Sequence, residues 1–250
     1  MLCWSSCMIF VRGPETIHQE MGTVENGTFH GRWHFSFGDY NDEHFVQFGT
    51  LKVFNDDTLS PGAVWPLHPH RGNEVVTYCV EGEFRHADQN GKGGVLKKGW
   101  VQHTTIGKGM WHSEINNLPD KPMRFVQMWF VPKDADAEPS VEQMAVEKEQ
   151  RTNTLFPLVS NDAPSALKIK ADAEVYSCFL QQGKTVKHLM KPRWGCYLYL
   201  LEGGPIRVNN RQVIQEFGAA IVREEPELKV TCVGDAELLL VTVRLIREGT

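Results

Sequence analysis

Two short stretches hold residue types and spacings that could do chemistry: 68-HPH-70 and 112-HSE-114. In each, the two candidate ligands are two residues apart. On a strand, such residues project from the same face, roughly 6.6–7 Å apart along the chain. If the two stretches lie on adjacent strands facing a barrel interior, His68, His70, His112 and Glu114 converge on one point. Three imidazoles and one carboxylate leave two positions of an octahedron open for water, substrate or dioxygen. Such a mixed set suits iron(II), nickel, manganese or copper better than a closed structural zinc site. The competing reading is a polar barrel mouth without metal.

The surrounding residues carry paired readings of their own. Gly107 and Gly109 precede His112, Gly62 precedes His68 and Gly82 follows, all where a tight turn must deliver a strand inward. Glu74, separated from His70 by three residues, is a second candidate carboxylate. His103 either lines the pocket or forms a hydrogen bond at the barrel rim. Arg71 could steer an anionic substrate, but a solvated loop arginine is the simpler expectation. His86, in 84-FRH-86, is expected to face solvent. His30 and His34 read as surface or core histidines, and Trp65, Trp100, Met110 and Trp111 as core residues.

The elements that must position these residues read as strands. Runs rich in β-branched and aromatic residues recur, among them 45-FVQFGTLKVF-54, 75-VVTYCV-80, 125-FVQMWFV-131 and 237-ELLLVTVRLI-246. Turn signals such as 89-QNGKGG-94 separate them, the punctuation of an all-β sandwich or barrel. Helical periodicity is scarce. The polar stretch 134–153 reads as a connector, where Val141, Met144 and Ala145 fall at the spacing of a short helix. An internal echo links 76-VTYCVEGEFRH-86 with 196-CYLYLLEGGPIRVN-209, as expected of two related halves. Nine of the ten histidines lie between His18 and His112, so metal chemistry belongs to the first half.

The chain has 250 residues, 41% of them hydrophobic and 23% charged, values typical of a soluble globular protein. The formal net charge of -5 gives no reason to expect direct contact with nucleic acid or an anionic membrane. No window approaches the uninterrupted apolar run of a membrane-spanning helix. The N-terminus, MLCWSSCMIFVRGPE, lacks a basic leader and a small-residue cleavage site, so no signal peptide is expected, and Met8 is a candidate start. Six cysteines are present without a CxxC pair: Cys3, Cys7, Cys79, Cys178, Cys196 and Cys232. Free thiols in a reducing compartment follow, with the cytoplasm as default location.

The sequence from Gly62 through Glu74 to Gly82 resembles the first cupin motif, with one extra residue before its last glycine. Gly107 to Asn116 resembles the second, with glycine at the usual proline position. More narrowly, HPHRGNE, VEGEFRH and GKGMWHSE, with 35-FSFGDYND-42 and 54-FNDD-57 upstream, resemble the pirin family of bicupins. The resemblance implies an all-β bicupin of two antiparallel, jelly-roll-like β-barrel domains. Residues 1–133 would form the metal-binding domain and 134–250 a cupin-like domain without metal ligands, with 134–153 as a short helical connector.

The resemblance also implies that His68, His70, His112 and Glu114 hold one divalent transition metal, iron(II) foremost, with nickel, manganese, copper and zinc as alternatives. Glu74 and Arg71 would then act behind the ligands. The implied activity is a quercetin 2,3-dioxygenase-like ring opening of a flavonol by dioxygen, with Glu114 as general base. The alternative is an iron-dependent, redox-sensitive regulator that binds a transcription factor or another protein. A monomer is expected, with a flavonol-like aromatic substrate and dioxygen as partners.

Overall fold

The β-branched and aromatic runs become strands over most of their length in the computed structural model, which describes residues 9–245, whereas 45–50 of the first run is turn and bend. Cys3, Cys7 and Met8 lie outside that range. In chain order, β1 (Ile9–Arg12) is followed by β2 (His18–Val24), β3 (Gly27–Trp33), β4 (Leu51–Leu59), β5 (Val64–His70) and β6 (Glu74–Glu81). Next come β7 (Glu83–Asp88), β8 (Gly93–Lys97), β9 (Val101–Thr105), β10 (Met110–Asn116), β11 (Met123–Phe130) and β12 (Ser140–Met144). Strands β2 to β12 build two antiparallel sheets, ordered β12-β9-β6-β11-β4-β3-β2 and β5-β10-β7-β8.

The burial of each strand explains its sequence pattern. Central strands β6 and β11 are buried along almost their whole length, so they read as continuous apolar runs. Strand β10 of the smaller sheet alternates, with Met110, His112, Glu114 and Asn116 facing inward and Trp111 out to solvent. Leu59, Cys79, Phe84, Leu96 and Phe125, drawn from both sheets, form one core cluster, and Val53, Val75, Ile106, Met110 and Trp129 another. Each such side chain, fully buried, contributes about 1.5–3 kcal/mol relative to exposure. The result is a jelly-roll sandwich whose ladders do not close into a continuous barrel. Trp65 and Trp100 pack partly against the core, whereas Trp111 stands 49% exposed, contrary to the core placement expected for it.

The remaining strands are β13 (Phe156–Val159), β14 (Ala173–Leu180), β15 (Thr185–Leu189), β16 (Trp194–Gly203), β17 (Ile206–Val208), β18 (Gln212–Ile214), β19 (Ala219–Val222), β20 (Glu227–Cys232) and β21 (Ala236–Arg244). With β1 they form sheets ordered β1-β19-β16-β21-β14-β13 and β15-β20-β17-β18. Their common core includes Cys178, Leu198, Leu200, Val208, Val230, Leu238 and Leu240. The echo seen in the sequence has a structural counterpart. The Glu-Gly of each half lies where the chain leaves one sheet for the other, at Gly82 (φ 73°) and Gly203 (φ 73°). A Cβ at these positions would lie 2.5 Å from the Pro122 carbonyl oxygen and 2.1 Å from that of Asp235, so glycine is required at both.

The chain divides into two interleaved compact units. One comprises His18–Glu147 and Val159–Asp172, the other residues 9–17, Lys148–Leu158 and residues 173–245. A single cut at 133 followed by a connector does not describe this. Strand β1 pairs with β19, Ile9 opposite Val222, which places the first described strand with the second half. Conversely, the Lys170 backbone N–H donates to Glu74 (2.8 Å) and the Thr50 hydroxyl to the Asp172 carbonyl (3.1 Å), which places 159–172 with the first. The helix expected from Val141 and Met144 is instead β12, paired to the edge of β9 with Val141 opposite Thr104. A short helix standing alone is marginal in water, and the β9 edge offers a ladder. The only helical turn in the connector is the 3-10 turn Lys148–Arg151.

Cys79, Cys178, Cys196 and Cys232 are buried free thiols, as expected. Burial pushes Cys79 and Cys178 up to about 12 and Cys232 to about 11, so all three stay protonated and inert at neutral pH. No helix of the described residues is long and apolar enough to cross a membrane.

Candidate metal centre

Strands β5 and β10 are antiparallel neighbours, with His68 directly opposite His112 and His70 opposite Met110. A register shift between His112 and Glu114 places Glu114 opposite Trp65. The same-face pairs read from the sequence therefore sit on adjacent strands. Candidate donor nitrogens of His68, His70 and His112 all lie within 4.8 Å of one another. Glu114 is buried on the same face but is not one of that close group.

Local contacts set the tautomers. His68 Nδ1–H donates to the Pro66 carbonyl (2.8 Å), which leaves its Nε2 lone pair facing the cluster. His68 Nε2 and His112 Nε2 are 3.1 Å apart. With metal–nitrogen bonds of about 2.0–2.1 Å, two adjacent ligands at a right angle stand about 3 Å apart, so the observed separation fits an ion held between them. Burial, then the neighbouring imidazoles, pulls His112 down to about 2. Burial and His68 pull His70 down to about 4. Both are neutral at pH 7, the form in which imidazole binds metal. The residues present thus fit a divalent transition metal.

Glu114 is held from a different side. Trp129 Nε1–H donates to Gln127 Oε1 (2.8 Å), so the Gln127 amide is oriented with its Nε2–H donating to Glu114 Oε1. One carboxylate oxygen is thereby occupied and Oε2 is left for other work. Burial raises the Glu114 carboxyl above its ordinary range, opposed by His68 and by the Gln127 hydrogen bond. The Trp129 ring also packs edge-on to His70, centroids 4.5 Å apart.

The other residues singled out from the sequence lie elsewhere. Glu74 and His103 pair with each other, Nε2 to Oε2, 2.9 Å apart, and both are fully buried. Glu74 Oε2 also accepts the Lys170 N–H, and Glu74 is not one of the gathered three-histidine group. Arg71 is exposed and paired with exposed Asp136 at 3.0 Å. His30 bonds to Gln19, and His34 is buried against Phe54.

His86 overturns the expectation that it faces solvent. It is only 3% exposed, and its Nε2 lies 3.0 Å from His112 Nδ1. The signal was available, because His86 is two residues from Phe84, and Phe84 is a core residue on the same face of β7. Gln127 was also missed. It hides as one polar residue in the apolar run FVQMWFV, sharing the face of Phe125 and Trp129.

The sequence model of the family described as Pirin matches residues 16–130, and that of the Quercetinase C-terminal cupin domain matches 158–243. A Pseudomonas aeruginosa protein provisionally named a quercetin 2,3-dioxygenase is 37% identical over 89% of this chain and 96% of its own length. The quercetin 2,3-dioxygenase of Escherichia coli is 28% identical over 93% of this chain and 97% of its own. The crystal structure of the bacterial pirin YhhW from Escherichia coli, in complex with nickel(II), superposes with a TM-score of 0.85. It is 25% identical and covers 96% of this chain and 100% of that one.

Proposed function

The chain belongs to the pirin family, and from that premise we propose that it is a metal-dependent dioxygenase that opens the central ring of a flavonol such as quercetin. The observation that carries the proposal is the convergence of His68, His70 and His112 beside a buried Glu114. These histidines would hold one divalent transition metal, with Glu114 completing the set or standing beside it. Iron(II) and nickel both suit the donors. When bound, the metal would supply Lewis acidity toward the flavonol 3-hydroxyl and its neighbouring carbonyl.

The chain's own residues do the rest. Glu114 Oε2, left free because Gln127 occupies Oε1, takes the 3-hydroxyl proton. The flavonolate then reacts with one dioxygen, and ring opening releases carbon monoxide and a depside that together retain both added oxygen atoms. Trp129, whose ring packs against His70, and Met110, which stands opposite His70, belong to a buried apolar cluster beside the site. In the test, nickel- or iron-loaded protein is mixed with quercetin under air while flavonol absorbance and carbon monoxide are followed. Metal-replete protein that consumes no flavonol would remove the substrate assignment.

A second reading has an observation of its own. Leu67 (51% exposed) and Trp111 (49% exposed) each adjoin a metal-site histidine in sequence yet point outward. They favour a regulator whose outer sheet face docks a protein partner. A pull-down with ferrous and ferric protein, and with Trp111→Ala, tests it: equal capture by all forms removes this reading.

A further inference from the structure

We propose that His86 is a positioning residue for the metal site: it accepts the His112 Nδ1–H, locks His112 in the tautomer whose Nε2 faces the metal, and adds no charge in doing so. The inference rests on the reading of His68, His70 and His112 as metal-holding residues.

His86 reaches the site from β7, where it stands opposite Glu114 of β10. Its Nε2 meets His112 on Nδ1, the nitrogen turned away from the cluster, and the ring is not among the three gathered donors. It therefore partners a ligand without being one. A neutral imidazole has one donor and one acceptor. To hold an ion through Nε2, His112 must carry its proton on Nδ1, and in this buried place that N–H needs an acceptor. His86 Nε2 supplies it, which obliges His86 to keep its own proton on Nδ1.

That Nδ1 is buried and makes no hydrogen bond. Leaving a buried donor unpaired is unfavourable, so an imidazole here is explained by the use made of its other nitrogen. Asp88, two residues on along the inward face of β7, makes no hydrogen bond to it; its Oδ1 accepts the backbone N–H groups of Asn90 and Lys92. The backbone is also shaped around the ring. Gly93 (φ 148°) opens β8, and a Cβ there would lie 2.1 Å from the His86 carbonyl oxygen and 2.9 Å from its Nδ1.

Carboxylates and carbonyls are the usual partners of metal-bound histidines. A neutral partner changes the charge of the site. Three neutral imidazoles and one carboxylate around a divalent ion leave one positive charge, which a second carboxylate at position 86 would cancel. His86 thus keeps the site suited to a substrate that binds as an anion, in keeping with a deprotonated flavonol.

The test measures nickel(II) affinity by chelator competition for wild type, His86→Gln and His86→Phe, beside the thermal midpoint of each metal-free protein. Nitrogen-15 NMR of the zinc-loaded wild type locates the imidazole protons. His86→Gln, whose side-chain oxygen can still accept, should remain close to wild type. His86→Phe should bind nickel roughly 10–100-fold more weakly with a little-changed metal-free midpoint. In the zinc-loaded wild type, His112 should carry its proton on Nδ1, coupled to His86 Nε2. Nickel binding by His86→Phe as tight as wild type, or a His112 proton found on Nε2, would overturn the inference. Should His86→Phe not fold, the NMR result decides. A wild type that takes up no nickel instead overturns the metal reading beneath it, a different result from equal binding by both proteins.

Discussion

His68 and His112 stand directly opposite each other on neighbouring antiparallel strands with their Nε2 atoms 3.1 Å apart. A cation between them stabilises the native state alone, since the unfolded chain has no preformed site. Added nickel should therefore raise the thermal midpoint in proportion to the logarithm of its concentration. His68→Ala and His112→Ala should abolish that rise and lose stoichiometric metal by elemental analysis. Retention of metal by both variants would show that the ligand set is different.

Glu114 can be separated from the histidines by Glu114→Gln. The substituted amide keeps the volume and can still accept from Gln127, so the fold and the three-histidine site persist. Flavonol turnover should fall about 10²–10⁴-fold, the range for losing a general base. A variant that turns over normally would shift the base role elsewhere.

Gln127 links Trp129 to Glu114, and Gln127→Leu removes both hydrogen bonds at once. It leaves the Trp129 N–H buried without an acceptor, at about 1–3 kcal/mol, and frees Glu114 to move. Denaturant unfolding should register the stability loss, and turnover should fall further than stability alone accounts for. Unchanged stability would mean that the Trp129–Gln127–Glu114 chain is not held in solution.

The histidines also predict a pH dependence. His70 and His86, both mainly through burial, have folded values near 4, below the ordinary imidazole value of 6.5. Depressed folded values mean that the unfolded chain takes up protons first as pH falls. The stability these two groups provide is complete above pH 6.5 and is lost between 6.5 and about 4. Metal-free protein should show a falling thermal midpoint across that window, and His86→Gln should flatten part of it. A flat profile would contradict the burial of these imidazoles.

The same burial marks what local sequence could reveal. The two-residue spacings of HPH and HSE projected straight into a shared face, because strand geometry fixes that period. His86 was equally determined by Phe84 beside it, but a histidine next to an arginine read as polar. The interleaving of residues 9–17 and 159–172 with the opposite halves depends on pairings such as Ile9 with Val222, more than two hundred positions apart. No local pattern encodes such a pairing. Residues 140–144 failed differently: their spacing suited either helix or strand, and the free edge of β9 decided.

Glu74 provides the sharpest test between the two candidate carboxylates. Its hydrogen bonds to His103 and Lys170, outweighing burial, hold its carboxyl below the ordinary range, so it is an anion spent on structure. Glu74→Gln replaces the charged acceptor beside the buried His103 with a neutral amide, and a hydrogen bond to a charged group is worth about 1.5–3 kcal/mol. The wild-type contribution is present above the unfolded value near 4.5 and is lost as pH falls through the lower folded value, so the gap between wild type and variant should close in acid. Nickel stoichiometry at neutral pH, measured below the variant's unfolding temperature, should stay at the wild-type level. Loss of metal from Glu74→Gln with the fold intact would instead make Glu74 the carboxylate ligand.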